Sequence, residues 1–183
     1  TRALLEGHFI LSSGLHSNKY IQCAKLLSLP NQAYKICNAL SKKILKAFSS
    51  IDLILSPSIG GIIIGYEIGR QLNIETIFSE RVGGKFKLRR GFSIKKGAKV
   101  LIMDDVITTG KSSLECAKLV KKAKGKLLGF ACIIDRSNKK NLLIKKNKII
   151  SQVKISVPVY KKNKLPTFLQ KIPISTPGSR FLK

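Results

Sequence analysis

Two adjacent carboxylates followed by a short polar turn are the residues of this chain best suited to chemistry. The apolar run 100–103 predicts a buried strand, and Asp104 and Asp105 come directly after it. Two more apolar residues lead into Thr108-Thr109-Gly110-Lys111-Ser112, which precedes a predicted helix. Hydroxyls and backbone amides at a helix N-terminus bind phosphate, whereas carboxylates accept hydrogen bonds from sugar hydroxyls or bind Mg²⁺. The segment therefore predicts a site for a sugar that carries a phosphate.

Two other interpretations explain this segment less well. The triplet Gly110-Lys111-Ser112 resembles the end of a nucleotide-binding P-loop, but that motif needs a glycine where this chain has Asp105. An ordinary strand-to-helix turn would explain Thr108 and Thr109 as helix caps. It would not explain two carboxylates after a buried strand, so we favour the sugar-phosphate site.

The elements around this segment alternate between short apolar runs and amphipathic stretches. That alternation is typical of a mostly parallel sheet flanked by helices, and it predicts an α/β fold. Ligands of such sheets bind outside the carboxyl ends of the strands, where Asp104 and Asp105 are expected. The predicted strands are 52–56, 75–80, 99–104, 127–135 and 148–157, and the predicted helices are 31–48, 60–72 and 111–124.

Two segments depart from the alternation. Arg81 to Gly97 contains four glycines among seven basic residues without apolar periodicity, which predicts a long, mobile, basic loop. Loops of that length in compact domains are usually functional. The segment from Pro158 to Lys183 carries four prolines, which argue against a long helix and indicate a tail that wraps the surface.

The charge of the chain is extreme, at +26 from 35 basic and 9 acidic residues. Such a balance would suit an anionic partner, either nucleic acid or a polyphosphate substrate. Most of the excess is lysine scattered over 121–126, 139–148 and 161–164, without interleaved aromatic residues. We therefore interpret it as a lysine-rich composition and expect no specific nucleic-acid partner.

A length of 183 residues predicts one compact domain. No apolar run is long enough to span a membrane, and no secretory signal pattern is present, so we expect a cytoplasmic protein without a membrane partner. The cysteines occur singly and not at metal-ligand spacing, which predicts free, buried thiols; they are Cys23, Cys37, Cys116 and Cys132.

The segment Asp104 to Ser112 is similar to the phosphoribosyl diphosphate motif of the type I phosphoribosyltransferases. Almost the whole chain resembles one branch of them, the orotate phosphoribosyltransferases. The matching segments are Gly7 to Ser17, Tyr20, Gln22, the Ser56 to Gly61 turn, the Glu80 to Phe92 loop, Asp135-Arg136 and Pro177 to Arg180. The resemblance implies one phosphoribosyltransferase domain over 1–183, with a hood at 1–30, an α/β core at 31–157 and a C-terminal tail at 158–183.

The resemblance also implies a reaction. Orotate and phosphoribosyl diphosphate would give orotidine 5′-monophosphate and pyrophosphate, with Mg²⁺, in pyrimidine (UMP) biosynthesis. Asp104 and Asp105 would act in catalysis by binding the ribose hydroxyls or Mg²⁺, the metal mostly through substrate or water. The 5′-phosphate would bind Val106, Ile107, Thr108, Thr109, Gly110, Lys111 and Ser112.

Orotate is expected at Thr108 and Arg136, with Ser12, Tyr20 and Ile21 contributed by the hood. Arg136 also makes chemical sense by itself, because a guanidinium pairs with a carboxylate through two parallel hydrogen bonds and orotate carries a carboxylate. Without the resemblance, the hood residues would be interpreted equally well as a polar turn followed by an edge strand.

This chain has Ser12 and Ile59-Gly60 where better-studied relatives often carry basic residues. We therefore expect pyrophosphate contacts from the basic loop, with Arg81 and Lys85 as catalytic cations and Arg89 as a further ligand. Lys87 and Arg90 are additional candidates. Cations aimed at a departing pyrophosphate would stabilise the charge that grows there, and a closing loop would exclude water. In the family this loop reaches into the neighbouring subunit's site, which implies a homodimer sharing loop 81–97; the alternative is a solvated basic loop.

Other interpretations stay open. Histidine is a common acid-base residue near neutral pH, so His8 and His16 are candidates for that role. A lone histidine in a turn is, however, more often structural. The acceptor could be a purine or uracil, although Arg136 and the hood argue against this. A regulator that keeps the fold and binds nucleic acid is the alternative from a different class of protein.

Overall fold

The structure is a computed structural model that describes residues 3–11, 14–138, 141–144 and 147–177. Its elements in chain order are β1 (Leu4–Ile10), β2 (His16–Ile21), α1 (Cys23–Leu27), α2 (Pro30–Ala47), β3 (Leu53–Pro57), α3 (Gly60–Leu72), β4 (Thr76–Val82), β5 (Lys85–Leu88), β6 (Lys99–Ile107), α4 (Lys111–Lys122), β7 (Lys126–Asp135), β8 (Ile149–Lys154), a 3₁₀ turn (Lys162–Lys164), α5 (Thr167–Gln170) and β9 (Ile174–Ser175). The chain divides into a smaller unit, residues 1–26 with 156–183, and a larger unit, residues 27–155.

The larger unit contains a six-stranded sheet in the order β5-β4-β3-β6-β7-β8. The pairings among β3, β4, β6, β7 and β8 are parallel, and β5 joins β4 antiparallel. The predicted α/β fold is therefore confirmed. The predicted strands and helices agree with the observed ones to within a few residues, because each carries an unbroken apolar run or an amphipathic period.

Alternate residues of the strands face the two helix layers. Val100, Ile102, Cys116 and Val120 belong to one buried cluster, so α4 covers the face of β6 that carries Val100 and Ile102. On the other face, a β-carbon on Gly61 of α3 would lie 2.8 Å from the Met103 carbonyl oxygen. Helix α3 therefore packs directly against the sheet beside the acidic pair.

Strand β6 is longer than predicted. It continues to Ile107, so Asp104 and Asp105 lie within the strand and not after its end. The reason is that Val106 and Ile107 extend the ladder by pairing with Ile134 and Asp135 of β7. The two carboxylates consequently have neighbours on both sides of the sheet.

The expected irregular loop from Arg81 to Gly97 is wrong for its first half, which is a β-hairpin of β4 and β5. Gly83 and Gly84 form its turn with φ of 56° and 75°, as a two-residue hairpin turn requires. The sequence Lys-Phe-Lys-Leu of β5 alternates charged and apolar residues, a strand signal that the high charge of the segment obscured. Residues 89–98 carry no regular strand or helix.

The smaller unit contains a three-stranded sheet in the order β2-β1-β9. Strands β1 and β2 are antiparallel, and β9 runs parallel to β1. The tail has no long helix among its described residues, as its prolines predict, but it contributes strand β9 and the helix α5. All four cysteines are free and buried, as expected. No helix in the described ranges is both long enough and apolar enough to cross a membrane.

Candidate functional site

Asp104 and Asp105 lie near the carboxyl end of β6 and point to opposite faces of the sheet, as neighbours in a strand do. Asp104 is on the α4 side, where its charge contributes to the raised pKa of the buried Cys116 thiol. Asp105 is on the α3 side, beside Gly60. The backbone amide of Asp105 donates to Asp104 Oδ1 at 3.0 Å, and the amide of Val106 donates to Asp105 Oδ1 at 2.8 Å. These hydrogen bonds orient both carboxyl groups.

Burial raises the pKa of Asp104 well above its usual value, and repulsion from Asp105 raises it further. Burial also raises the pKa of Asp105, against the opposing effect of hydrogen bonds from Asp104 and the Val106 amide. A nearby cation or a hydroxyl donor would relieve this unfavourable charge. The pair therefore suits a ligand rich in hydroxyls, a divalent cation, or both.

The donor set fits a metal ion held jointly with a ligand. Among the described residues, no group of three or more His, Cys, Asp or Glu side chains is arranged to hold a metal. Two carboxylates leave most of the octahedral coordination of Mg²⁺ to water and substrate oxygens, which is how this ion usually binds. Asp104 and Asp105 would hold it in that way.

The predicted phosphate residues lie in the turn between β6 and α4 and in the first turn of α4. Gly110 is the N-cap of α4, a 12-residue helix whose first turn contains Lys111 and Ser112. The Lys111 amide donates to Thr109 Oγ1 at 3.4 Å, and the Leu143 amide donates to the Thr109 carbonyl at 2.9 Å. The turn is thus held from both sides, with its helix N-terminus at the carboxyl edge of the sheet, where anions bind.

Ser113 is a candidate residue that the sequence did not single out. It follows Ser112 in α4, is 1% exposed, and its Oγ has no hydrogen-bond partner among the described residues. A buried hydroxyl without a partner is costly, and a bound phosphate oxygen would satisfy it. The available signal was a second serine directly after Gly110-Lys111-Ser112.

The structure brings Arg136 beside Thr108. The Arg136 amide donates to the Ile107 carbonyl at 2.8 Å, which continues the pairing of Ile107 with Asp135. The Asp135 carboxylate is occupied by the Ser137 amide at 2.8 Å and by Lys154 Nζ at 3.4 Å. Thr108 and Arg136, two predicted orotate residues, therefore follow adjacent strands at the same edge of the sheet.

The predicted cations of the basic segment do not form one group. In the hairpin Arg81 is paired with Phe86, and Val82 with Lys85, so Arg81 and Lys85 project from opposite faces of the ribbon. Ser79 Oγ lies 3.3 Å from Cys116 Sγ, which places the face of Ser79 and Arg81 toward α4. Lys85 is therefore on the face of the sheet that Asp105 and α3 share.

The three arginines are engaged in ion pairs. Arg81 Nη1 lies 3.0 Å from Glu115 Oε2 of α4. Arg89 and Arg90 both contact the Glu80 carboxylate, at 3.4 Å and 2.6 Å. Lys85 and Lys87 are exposed and make no ion pair with the part of the chain that the structure describes. Of the predicted cations, the two lysines are thus the more available for a ligand.

The remaining predicted residues lie in the smaller unit. Tyr20 and Ile21 are in β2; Ile21 is buried, and the Tyr20 ring packs against Phe9 at 5.7 Å between centroids. Ser12, like Ser13 and the predicted Gly178 to Arg180 segment, falls outside the described residues.

His8 and His16 lie in strands β1 and β2, not in a turn. Both are buried, and His8 Nε2 is 2.7 Å from His16 Nδ1. The structural role of these histidines stays a prediction.

A family model described as a phosphoribosyl transferase domain matches residues 25–162. The chain is 44% identical over 181 residues to an orotate phosphoribosyltransferase of Phenylobacterium zucineum (strain HLK1), covering 99% of this chain and 92% of the relative. It is 47% identical over 182 residues to an orotate phosphoribosyltransferase of Chlorobium phaeobacteroides (strain BS1), covering 98% and 91%.

The fold is also found in solved structures. A crystal structure of orotate phosphoribosyltransferase from Aeropyrum pernix matches with a TM-score of 0.72, covering 84% of this chain and 88% of the other. The two sequences are 20% identical, so this likeness concerns the fold.

Proposed function

The chain belongs to the phosphoribosyltransferase family and, within it, to the orotate phosphoribosyltransferases, and on that premise we propose how its residues carry out the reaction. The enzyme transfers the 5-phosphoribosyl group from phosphoribosyl diphosphate to orotate, giving orotidine 5′-monophosphate and pyrophosphate. The observation that carries this function is the 44% identity over 99% of the chain to a relative of that activity. The acidic pair and helix N-terminus at the same sheet edge supply the chemistry.

Residues 104–113 bind the ribose phosphate in this proposal. Asp104 and Asp105 accept hydrogen bonds from the two ribose hydroxyls. The backbone and hydroxyls from Thr108 to Ser112 bind the 5′-phosphate at the positive end of α4. Ser113 contributes its buried hydroxyl, which otherwise has no described partner.

Orotate binds at the edge formed by Thr108 and Arg136. The Arg136 guanidinium pairs with the orotate carboxylate, and this pairing selects orotate over uracil, which lacks the carboxylate. Ser12, Tyr20 and Ile21 stay predicted orotate residues on the family resemblance alone. Orotate N1 forms the new bond to C1 of the ribose as the C1–O bond to pyrophosphate breaks, and the N1 proton passes to solvent or to the departing pyrophosphate.

The basic hairpin stabilises the departing pyrophosphate. Lys85 supplies the contacting cation, since its side chain is exposed and makes no ion pair with the described residues. Arg81 holds the hairpin through its ion pair with Glu115. Arg89, directly after β5, is held by its ion pair with Glu80. Positive charge near the leaving group lowers the barrier because negative charge grows there in the transition state.

Mg²⁺ is the proposed cofactor, held by Asp104 and Asp105 together with substrate oxygens and water. When bound, it supplies charge neutralisation at the diphosphate. We further propose a single functional domain, a homodimer in which segment 81–97 serves the neighbouring site, and a cytoplasmic location. Four free, buried thiols support a reducing compartment.

The test is orotate consumption, followed by its ultraviolet absorbance, with phosphoribosyl diphosphate and Mg²⁺ present. Uracil, adenine and hypoxanthine serve as parallel acceptors. We expect loss of orotate alone, dependent on Mg²⁺. Turnover of another base instead of orotate would support the phosphoribosyl site but change the assigned acceptor. Inactivity with all four bases would contradict the assignment.

A further inference from the structure

The Arg81 guanidinium is held by three groups of its own chain. Nη1 lies 3.0 Å from Glu115 Oε2 and donates to the Gly84 carbonyl at 2.5 Å. The guanidinium carbon is 4.1 Å from the centre of the Phe86 ring. One side chain therefore joins the hairpin turn, strand β5 and helix α4.

Glu115 is the member of this group that belongs to the phosphate helix. It follows Lys111 by one turn in α4, and its side chain is 22% exposed, against 38% for Arg81. Phe86 lies on the same face of the hairpin as Arg81. It is buried and belongs to one core cluster with Cys116 of α4. The hairpin is thus fixed to the element whose N-terminus forms the phosphate site.

The ion pair lies next to the glycine turn of the hairpin. Gly83 and Gly84 form the turn, and glycines restrict the backbone less than any other residue. Lys85 follows directly and projects from the face opposite Arg81. Because Arg81 binds the Gly84 carbonyl, the backbone next to Lys85 is held by the group that Glu115 orients.

We propose that Glu115 is a positioning residue for the transfer reaction. Through Arg81 and the Gly84 carbonyl, it holds the turn from which Lys85 reaches the pyrophosphate. This inference rests on the proposed function, and it assigns to Arg81 a role in orientation and to Lys85 the contact with the leaving group. Loss of the Glu115 charge releases the turn without touching the orotate site.

The kinetic test compares Glu115→Gln with Glu67→Gln. Glu67 is a matched control, since it forms a 2.8 Å ion pair with Arg70 on α3, away from the hairpin. We expect Glu115→Gln to lower kcat by about 5-fold, the upper range for one partly exposed ion pair, with the KM for orotate unchanged. Glu115→Asp restores part of the loss, and Glu67→Gln leaves kcat at the wild-type value.

A double variant shows whether Glu115 acts through Lys85. Lys85→Ala should itself lower kcat, and adding Glu115→Gln to it should cause no further loss, because coupled residues are not additive. An undiminished 5-fold loss in the Lys85→Ala background, no loss in Glu115→Gln alone, or full activity of Lys85→Ala would each overturn the proposal.

A second readout needs no orotate. Hydrogen exchange of the backbone amides at 82–88 should accelerate in Glu115→Gln and stay unchanged in Glu67→Gln. Equal exchange in both variants overturns the proposed positioning role of Glu115 even in an active enzyme. Absence of wild-type turnover with orotate, with faster exchange in Glu115→Gln, would instead reject the proposed function and leave the structural contact established.

Discussion

The carboxyl group of Asp105 occupies the space that a side chain at Gly60 would need. A β-carbon on Gly60 would lie 2.8 Å from Cγ, Oδ1 and Oδ2 of Asp105, which is closer than such atoms approach in proteins. The first residue of α3 therefore sets the position of a carboxylate in β6. Glycine at residue 60 therefore leaves room for the observed position of the Asp105 carboxyl group.

We predict that Gly60→Ala displaces Asp105 and impairs phosphoribosyl diphosphate use. A shift of a catalytic group by about 1 Å can cost about 100-fold in rate, so kcat/KM for this substrate should fall by about 10- to 100-fold. Steady-state kinetics with a melting curve would measure it. The matched control is Gly125→Ala, whose β-carbon would lie 3.1 Å from side-chain atoms of Ile94 and Val120. That variant should lose stability at most; equal kinetic losses in both would contradict the role of Gly60.

Asp104→Asn should make the protein less active and more stable. Burial and Asp105 raise the pKa of Asp104, so the folded state binds protons more tightly than the unfolded chain. Its contribution to stability is present below the unfolded pKa and is lost as pH rises through the folded pKa. At neutral pH without ligand, the neutral amide removes that cost, and Tm should rise by about 2–4 °C for each kcal/mol gained. Thermal unfolding at pH 8 tests the stability, and a lower Tm would refute the sign.

Asp105→Asn tests the catalytic assignment of the pair. An amide presents one acceptor oxygen in place of two and carries no charge, so it binds ribose hydroxyls or Mg²⁺ poorly. We expect turnover to fall by about 100-fold or more, comparable with losing one electrostatic contact to a transition state. Full turnover at saturating Mg²⁺ would show that the residue is not part of the site.

Arg136→Lys should weaken orotate binding selectively. Lysine keeps the charge but cannot form two parallel hydrogen bonds with a carboxylate. The KM for orotate should rise about 10-fold, in keeping with about 1–2 kcal/mol for one charge-assisted hydrogen bond, while the KM for phosphoribosyl diphosphate stays near the wild-type value. A proportional rise in both constants would place Arg136 outside the base site.

Acid should loosen the smaller unit. Burial lowers the pKa of His16 below 6.5, and repulsion from His8 and Lys162 lowers it further. The folded state therefore binds fewer protons, so this contribution to stability is present above about pH 6.5 and is lost as pH falls below it. Hydrogen exchange in β1 and β2 should accelerate between pH 7 and pH 5. His16→Asn should flatten that dependence, and an unchanged acid response in this variant would assign it to other groups.

Local sequence was enough for most elements of the larger unit. Apolar runs and amphipathic periods depend on neighbouring residues, so the strands around 53–57 and 126–135 and the helices 30–47, 60–72 and 111–122 were predicted to within a few residues. The end of β6 was placed too early because its extension depends on pairing with β7. The hairpin was missed because its alternation spans only four residues between charged neighbours.

The residue types of the candidate site could be predicted from the sequence, whereas the contacts among them depend on the tertiary fold. Asp104, Asp105 and the hydroxyl turn are contiguous, so their spacing sufficed to predict a ribose-phosphate site. The separation of Arg81 from Lys85 depends on strand register, the Arg81–Glu115 contact joins residues 34 positions apart, and the fit of Asp105 to Gly60 joins two different elements. Such relationships arise from packing between distant segments, which a single sequence does not display because sheet order and register are properties of the whole fold.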